Sequence, residues 1–67
     1  MKQQYKEIIL EMCNCSMNAS KVAREMNYSK GNILHHLDKI EEKYGLNPRK
    51  FYDLVELRRM ALEEMKE

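Results

Sequence analysis

The chain has 67 residues, of which 43% are hydrophobic and 34% charged, with two glycines, one proline and no tryptophan. A chain of this length forms one small domain and buries only about 60% of the surface that its unfolded form exposes, so it has little material for a deep substrate cleft. Most classes of enzyme are therefore not expected, and we predict a single domain, residues 1–67, that binds a larger molecule.

The charges are unevenly distributed, although the formal net charge is only +1. Between Asn18 and Lys50, seven basic residues stand against four acidic ones, whereas from Phe51 to Glu67 five acidic residues stand against three basic ones. The middle segment could therefore face phosphate, and the last segment is not expected to do so. No apolar run approaches the ~18 residues of a membrane span, and we expect a cytoplasmic location with no membrane partner.

The spacing of apolar residues predicts an all-α fold, a small helix-turn-helix domain of about four helices. The first helix covers about residues 2–13. Ser20 is the expected N-cap of a short second helix that breaks at Asn27. The residues expected to point inward from these two helices are Tyr5, Ile8, Ile9, Met12, Val22, Ala23 and Met26.

Ser29 is predicted to cap a third helix that runs to about Tyr44, and Gly45 suits the left-handed residue that follows a helix end. Asn47 and Pro48 then predict the cap and first position of a last helix, over about residues 48–65. The expected apolar face of the third helix is Ile33, Leu37, Ile40 and Tyr44, and that of the last is Phe51, Leu54, Val55, Ala61, Leu62 and Met65.

Residues 20–44 have the pattern of a helix-turn-helix, in which a short helix and a turn precede a longer helix that lies in the DNA major groove. Ala23 is small where the two helices would approach most closely. Asn27 occupies the turn position where glycine is common, and asparagine tolerates the left-handed backbone better than other residues with a side chain.

The stretch Asn18–Ser29, continued by Leu37–Leu46, resembles the C-terminal helix-turn-helix of PucR-type bacterial regulators and is similar to that of Fis-type proteins. The resemblance covers about residues 18–62. Its most specific part is the exit from the third helix, Leu37-x-x-Ile40-Glu41-x-x-x-Gly45-Leu46, and the pattern up to Gly45 also looks like that of LysR-type regulators. The resemblance implies a bacterial or phage transcription factor that binds DNA, commonly as a dimer.

The candidates for contact with DNA face away from the apolar stripe of the third helix. Asparagine can pair with adenine and lysine can reach guanine or phosphate, each good base contact giving about 1–3 kcal/mol of discrimination. Alternatively, Lys30, Asn32 and Lys39 are ordinary surface residues. The resembling families carry Arg or Lys where this chain has Leu34, His35 and His36, so we expect one copy to bind weakly. The candidates are Lys30, Gly31, Asn32, His35 and Lys39, with Lys21, Tyr28 and Ser29 as contacts to phosphate.

Histidines and cysteines raise the question of a metal site. Adjacent helical residues point about 100° apart, so His35 and His36 cannot chelate one ion, and we expect one to pack and the other to face solvent or DNA. Histidine titrates near pH 6.5, which predicts tighter DNA binding at lower pH. Cys13 and Cys15 offer two of the four ligands of a structural zinc site and are interpreted as small apolar residues, with a zinc site shared across a dimer left open. We predict no metal and no cofactor.

The last helix carries more apolar surface than a lone amphipathic helix requires. We expect Tyr52, Leu57, Met60 and Met65 to form a homodimer interface. Two-fold pairing would place two recognition helices about 34 Å apart, on successive major grooves.

These patterns predict a sequence-specific DNA-binding transcriptional regulator of bacterial or phage type that inserts the helix starting near Lys30 into the major groove of double-stranded DNA as a homodimer. No Ser-His-Asp grouping or Gly-rich phosphate loop is found, so neither an enzyme nor a small-molecule substrate is expected. The alternative is a protein-interaction module, an adaptor or anti-repressor, on the same scaffold, because a fold does not define a function.

Overall fold

The computed structural model describes residues 1–65, and these form four helices and no strand. The helices are α1 (Gln3–Asn14), α2 (Ala19–Met26), α3 (Lys30–Tyr44) and α4 (Phe51–Glu64). The all-α class and the number of helices are therefore confirmed. In the described part of the chain, no helix has the length and apolar character needed to cross a membrane.

Helix α1 lies at the centre of the fold. It packs against α2, α3 and α4, while α2 and α3 also pack against each other; among the described helices, α4 packs against α1 alone. Ile8 and Ile9 are both fully buried, and because neighbouring helical residues point about 100° apart, α1 is covered on more than one side. The core consists of Tyr5, Ile8, Ile9, Met12, Cys15, Val22, Ala23, Ile33, Leu37, Ile40, Leu54, Leu57 and Ala61.

The N-termini of α2 and α3 are capped by side chains. The side-chain oxygen of Asn18 accepts a hydrogen bond from the N–H of Lys21, and the hydroxyl of Ser29 accepts one from the N–H of Asn32, each at 3.1 Å. Ser29 is thus confirmed as a cap, each such bond stabilising a helix by about 1 kcal/mol. The prediction for Ser20 was wrong: Asn18, two residues earlier, takes the extended cap conformation, and Ser20 lies inside the helix.

Each of the first three helices is followed by backbone in the left-handed conformation. The residues are Ser16 at φ 54° and Met17 at φ 66° after α1, Asn27 at φ 60° after α2 and Gly45 at φ 70° after α3. The N–H of Asn27 donates to the carbonyl of Arg24 and that of Tyr28 to the carbonyl of Ala23, which is the paired arrangement of a Schellman end. The predictions for Asn27 and Gly45 are therefore confirmed.

The start of α4 differs from the prediction. Asn47 and Pro48 do not begin the helix, which starts at Phe51. The side-chain oxygen of Asn47 instead accepts from the N–H of Arg49 at 2.9 Å, and its own N–H donates to the carboxylate of Asp53 at 3.0 Å. These bonds close a tight turn that contains the buried Pro48. Residues 47–50 therefore form an ordered loop and not the first turn of a helix.

The buried face of α4 also differs from the prediction. Since α4 packs against α1 alone, only a narrow stripe is covered, and this stripe consists of Leu54, Leu57 and Ala61. Leu57, expected at a dimer surface, is fully buried, and Met60 is partly buried against the core. Three residues expected on the inner face are exposed instead: Phe51 at 62%, Val55 at 47% and Met65 at 50%.

Candidate nucleic-acid interface

The α2–turn–α3 unit has the order and the element lengths of a helix-turn-helix. Helix α2 has eight residues, the turn is Asn27–Ser29, and α3 has fifteen residues. The bond from the Tyr28 N–H to the Ala23 carbonyl closes α2, and the Ser29 cap opens α3 three residues after α2 ends. Ala23 is buried at 4% exposure, as expected for the small residue where the two helices meet. The direction of α3 relative to α2 is therefore fixed at both ends of the turn.

All eight residues predicted to contact DNA are exposed. Since Ile33, Leu37 and Ile40 face the core, the opposite side of α3 faces outward. Four of the predicted residues share this outward face, while Lys30 is the first residue of α3, Lys21 lies in the first turn of α2, and Tyr28 and Ser29 lie in the turn. The four on the outward face are Gly31, Asn32, His35 and Lys39.

Tyr28 connects the turn to two helices. Its hydroxyl accepts a hydrogen bond from the amide of Gln4 at 3.2 Å, and its ring stacks on His36 with centroids 6.4 Å apart. The edge of Tyr5 contacts the same imidazole, at 6.2 Å between centroids. The Tyr28 side chain therefore orders the turn and is only partly available to a phosphate.

The two histidines lie in different environments, as expected. His35 is exposed on the outward face of α3, whereas His36 is half-buried between the two tyrosine rings. The Nδ1 atom of His36 lies 2.8 Å from the carbonyl oxygen of Asn32. A carbonyl only accepts hydrogen bonds, so Nδ1 carries the proton. Of the two, only His35 is placed to face DNA.

Two carboxylates, those of Asp38 and Glu42, also lie on the outward face of α3, and each forms an ion pair with a basic side chain. Asp38 pairs with Arg49 at 3.1 Å and Glu42 with Lys39 at 3.8 Å. Pairing reduces the repulsion that these carboxylates would exert on a phosphate backbone. Lys39, predicted as a DNA contact, is thus already ion-paired with Glu42.

Arg49 is a candidate that sequence reasoning missed. It belongs to the loop after α3, and its Nη2 atom lies 3.4 Å from the carbonyl oxygen of Leu34 as well as beside Asp38. The contact joins residues 15 positions apart through tertiary folding, so neither helical periodicity nor a local motif reveals it. The loop therefore adds a guanidinium group to the side of α3.

An acidic groove lies between α1 and α2 and reaches Tyr28 in the turn. Its volume is about 510 Å³, and its lining residues are Glu7, Leu10, Glu11, Asn14, Glu25, Met26 and Tyr28. Three carboxylates in one groove repel phosphate. A nucleic acid is therefore expected to approach from the outward face of α3 instead.

Cys13 lies in the last turn of α1, and Cys15 follows the end of that helix. Both are free thiols. Burial raises the pKa of Cys15, with a further increase from the carboxylate of Glu11. Burial also raises the pKa of Cys13, against a smaller opposite effect of Arg58. The thiolate is the form that attacks and binds metals, and within residues 1–65 no group of three His, Cys, Asp or Glu side chains is placed to hold an ion.

Helix α4 presents an apolar surface to solvent. Phe51, Val55, Arg58, Leu62 and Met65, which we call the outer seam, follow one another at intervals of four, three, four and three residues. Three seam residues, Phe51, Val55 and Arg58, line a groove of about 400 Å³ together with Cys13, Ser16, Met17 and Leu54. Tyr52, which is 83% exposed, flanks it. The seam has the spacing that a second helix requires.

The chain matches no protein-family model, no curated protein and no solved structure. The resemblance to PucR-type regulators therefore stays an expectation from the sequence. The order and packing of α2, the turn and α3, the exposed face of α3 and the outer seam are the observations on which a function can be proposed.

Proposed function

We propose that the protein is a sequence-specific DNA-binding transcriptional regulator of bacterial or phage type that acts in the cytoplasm as a homodimer. The observation that carries this proposal is the α2–turn–α3 unit, whose turn is closed at both ends and whose second helix presents one face of its first two turns to solvent. A helix held in this way can enter the major groove, about 12 Å wide, without rearrangement of the core.

Residues on the first two turns of α3 would read the bases. Asn32 is exposed and suits the paired donor and acceptor of adenine, and Lys30 suits guanine or a nearby phosphate. Gly31 adds no side chain, so the start of α3 can approach the groove wall closely. Lys21, Tyr28 and Ser29 would contact phosphate and fix the register. The Ser29 hydroxyl can still donate to a phosphate while it accepts from Asn32.

A second copy of the chain would cover the outer seam. Four of its five residues are apolar, and their spacing of four and three residues is that of paired helices. The exposed ring of Phe51 forms part of the groove wall, so a two-fold arrangement would bring the grooves of the two copies, each with its Phe51 ring, together. Met65 and Tyr52 remain part of the proposed interface, whereas buried Leu57 does not.

Selection from random DNA duplexes, followed by affinity measurements across a salt series, tests the proposal. We expect an enriched, two-fold symmetric site and a steep loss of affinity as salt rises, because bound lysines and arginines release counterions from phosphate. The Lys30→Ala/Asn32→Ala variant should lose the site. Lys43→Ala, which removes one charge in the last turn of α3, is the control and should retain it.

The exposed seam on α4 favours a protein partner as the second candidate function. Under this alternative, no duplex is enriched at micromolar protein, and the Lys30→Ala/Asn32→Ala variant keeps full function. Substitution of Val55 by Glu would instead abolish function, because it places a charge in the apolar contact. The Lys30→Ala/Asn32→Ala variant therefore separates a DNA-binding regulator from an adaptor.

A further inference from the structure

We propose that Arg49 is a DNA-phosphate contact that Asp38 holds in the free protein, and that its guanidinium transfers from Asp38 to the DNA backbone when α3 enters the groove. This inference rests on the proposed function, which assigns α3 to the major groove. It adds the loop 47–50 as a second DNA-binding element and gives Asp38 a role in limiting affinity.

The position of the guanidinium supports this role. Nη2 of Arg49 lies 3.1 Å from the Asp38 carboxylate and 3.4 Å from the Leu34 carbonyl, so the group lies against the side of α3. A helix in the major groove has a phosphate backbone along each side. A basic group beside α3 is therefore close to the path of one strand.

The loop holds the backbone of Arg49 in place before any DNA is bound. The N–H of Arg49 donates to the side chain of Asn47, and the N–H of Lys50 donates to the Asn47 carbonyl, both at 2.9 Å. The carboxylate of Asp53 accepts from the N–H of Asn47, and Pro48 is buried. Only the side chain of Arg49 has to move, which lowers the cost of ordering a contact.

The ion pair is also easily exchanged. The Arg49 side chain is 38% exposed and that of Asp38 is 68% exposed, and exposed pairs contribute little to stability because water screens them. Phosphate oxygens match the planar fork of a guanidinium as well as a carboxylate does. Phosphate can therefore replace Asp38 as the partner, at the cost of leaving that carboxylate near the DNA.

The test measures the affinity of the full chain for its selected duplex and for a random duplex of equal length across a salt series. Arg49→Gln removes the charge and keeps a donor for the Leu34 carbonyl, so we expect the slope of log affinity against log salt to fall by about 0.9, the value of one phosphate contact. Asp38→Asn frees Arg49 and should raise affinity for both duplexes. In the double variant the gain from Asp38→Asn should be smaller, because only the repulsion between Asp38 and phosphate is then removed.

Arg59→Gln is the control, because Arg59 is exposed on α4 and paired with Glu56 and Glu63. It should leave the slope unchanged, and thermal unfolding confirms that each variant is folded. If the wild type binds with a steep slope and Arg49→Gln has the same slope, the role of Arg49 is overturned while the proposed function stands. If Asp38→Asn lowers affinity, the role of Asp38 is overturned. If the wild type binds neither duplex, both proposals fail.

Discussion

The ring of Tyr28 lies nearly parallel to that of His36, with centroids 6.4 Å apart and planes inclined by 21°. Tyr28 belongs to the turn and His36 to α3, and the edge of Tyr5 on α1 reaches the same imidazole. The half-buried His36 of α3 therefore contacts both α1 and the turn between α2 and α3.

Replacement of His36 by Ala should destabilise the domain by about 1 kcal/mol, the value of an aromatic contact beyond simple burial. For a domain of this size, that loss lowers the melting temperature by about 4–8 °C. The neighbouring His35→Ala is the matched control, and we expect its free energy of unfolding to stay within about 0.5 kcal/mol of the wild type. Equal losses in the two variants would show that the Tyr28–His36 stack contributes nothing of its own.

DNA affinity at fixed salt and pH should fall when His35 is replaced by Ala. His35 is exposed on the outward face of α3, which the proposed function places in the major groove. Fluorescence anisotropy with a labelled duplex measures the affinity of the two proteins. Equal affinities would place His35 outside the interface.

We expect the fold to tolerate replacement of Asn27 by glycine but to be destabilised by its replacement by alanine. Its φ of 60° lies in the left-handed region, where a β-branched or alanine side chain costs about 1–2 kcal/mol and glycine costs nothing sterically. Chemical denaturation should therefore show a loss of about 1 kcal/mol for Asn27→Ala and no loss for Asn27→Gly. Ser16→Gly, at φ 54°, should raise stability for the same reason. A stable Asn27→Ala variant would contradict the turn geometry.

The sequence predicted those parts of the fold that depend on local interactions. The cap at Ser29 and the left-handed residues Asn27 and Gly45 follow from chemistry within a few positions along the chain. The cap of α2 was misplaced because Asn18 and Ser20 are both good caps two residues apart. Local propensity does not decide between them.

The errors in α4 and the omission of Arg49 have a different cause. Asn47-Pro48 satisfies the local rule for a helix start, but the buried proline and the bond to Asp53 close a loop there. Which side of α4 is covered depends on α1, more than thirty residues away in the chain. Periodicity shows that an apolar face exists; it does not show which of two adjacent faces, that of Leu57 or that of Val55, meets the neighbour.

Both cysteines should react slowly with alkylating agents at neutral pH. Burial raises the pKa of each thiol, so less thiolate is present at a given pH, and the rate should increase as the pH rises. Cys13 is partly exposed and should react faster than buried Cys15. Mass spectrometry of Cys13→Ser and Cys15→Ser variants assigns the rates, and denaturant should make both fast. Rapid modification of native Cys15 would contradict its burial.

Val55→Glu should separate the proposed dimer into monomers. The carboxylate would lie beside Phe51 in the outer seam, where contact with a second copy would remove it from water. Sedimentation should show a wild-type dimer and a Val55→Glu monomer at the same concentration. Ser20→Glu adds the same charge on exposed α2 and should remain dimeric. A wild type that stays monomeric at all accessible concentrations would overturn the dimer.

The packing of α4 against α1 alone also determines the order in which the chain can fold. Helices α2 and α3 are joined by a three-residue turn, so their contact closes a short loop at little entropic cost. The contact of α4 with α1 joins segments at the two ends of the described chain and closes the longest loop in the molecule. We therefore expect the α2–α3 pair to form early and the α1–α4 contact to limit the rate. On a ribosome, the core would stay open on one side of α1 until α4 has emerged.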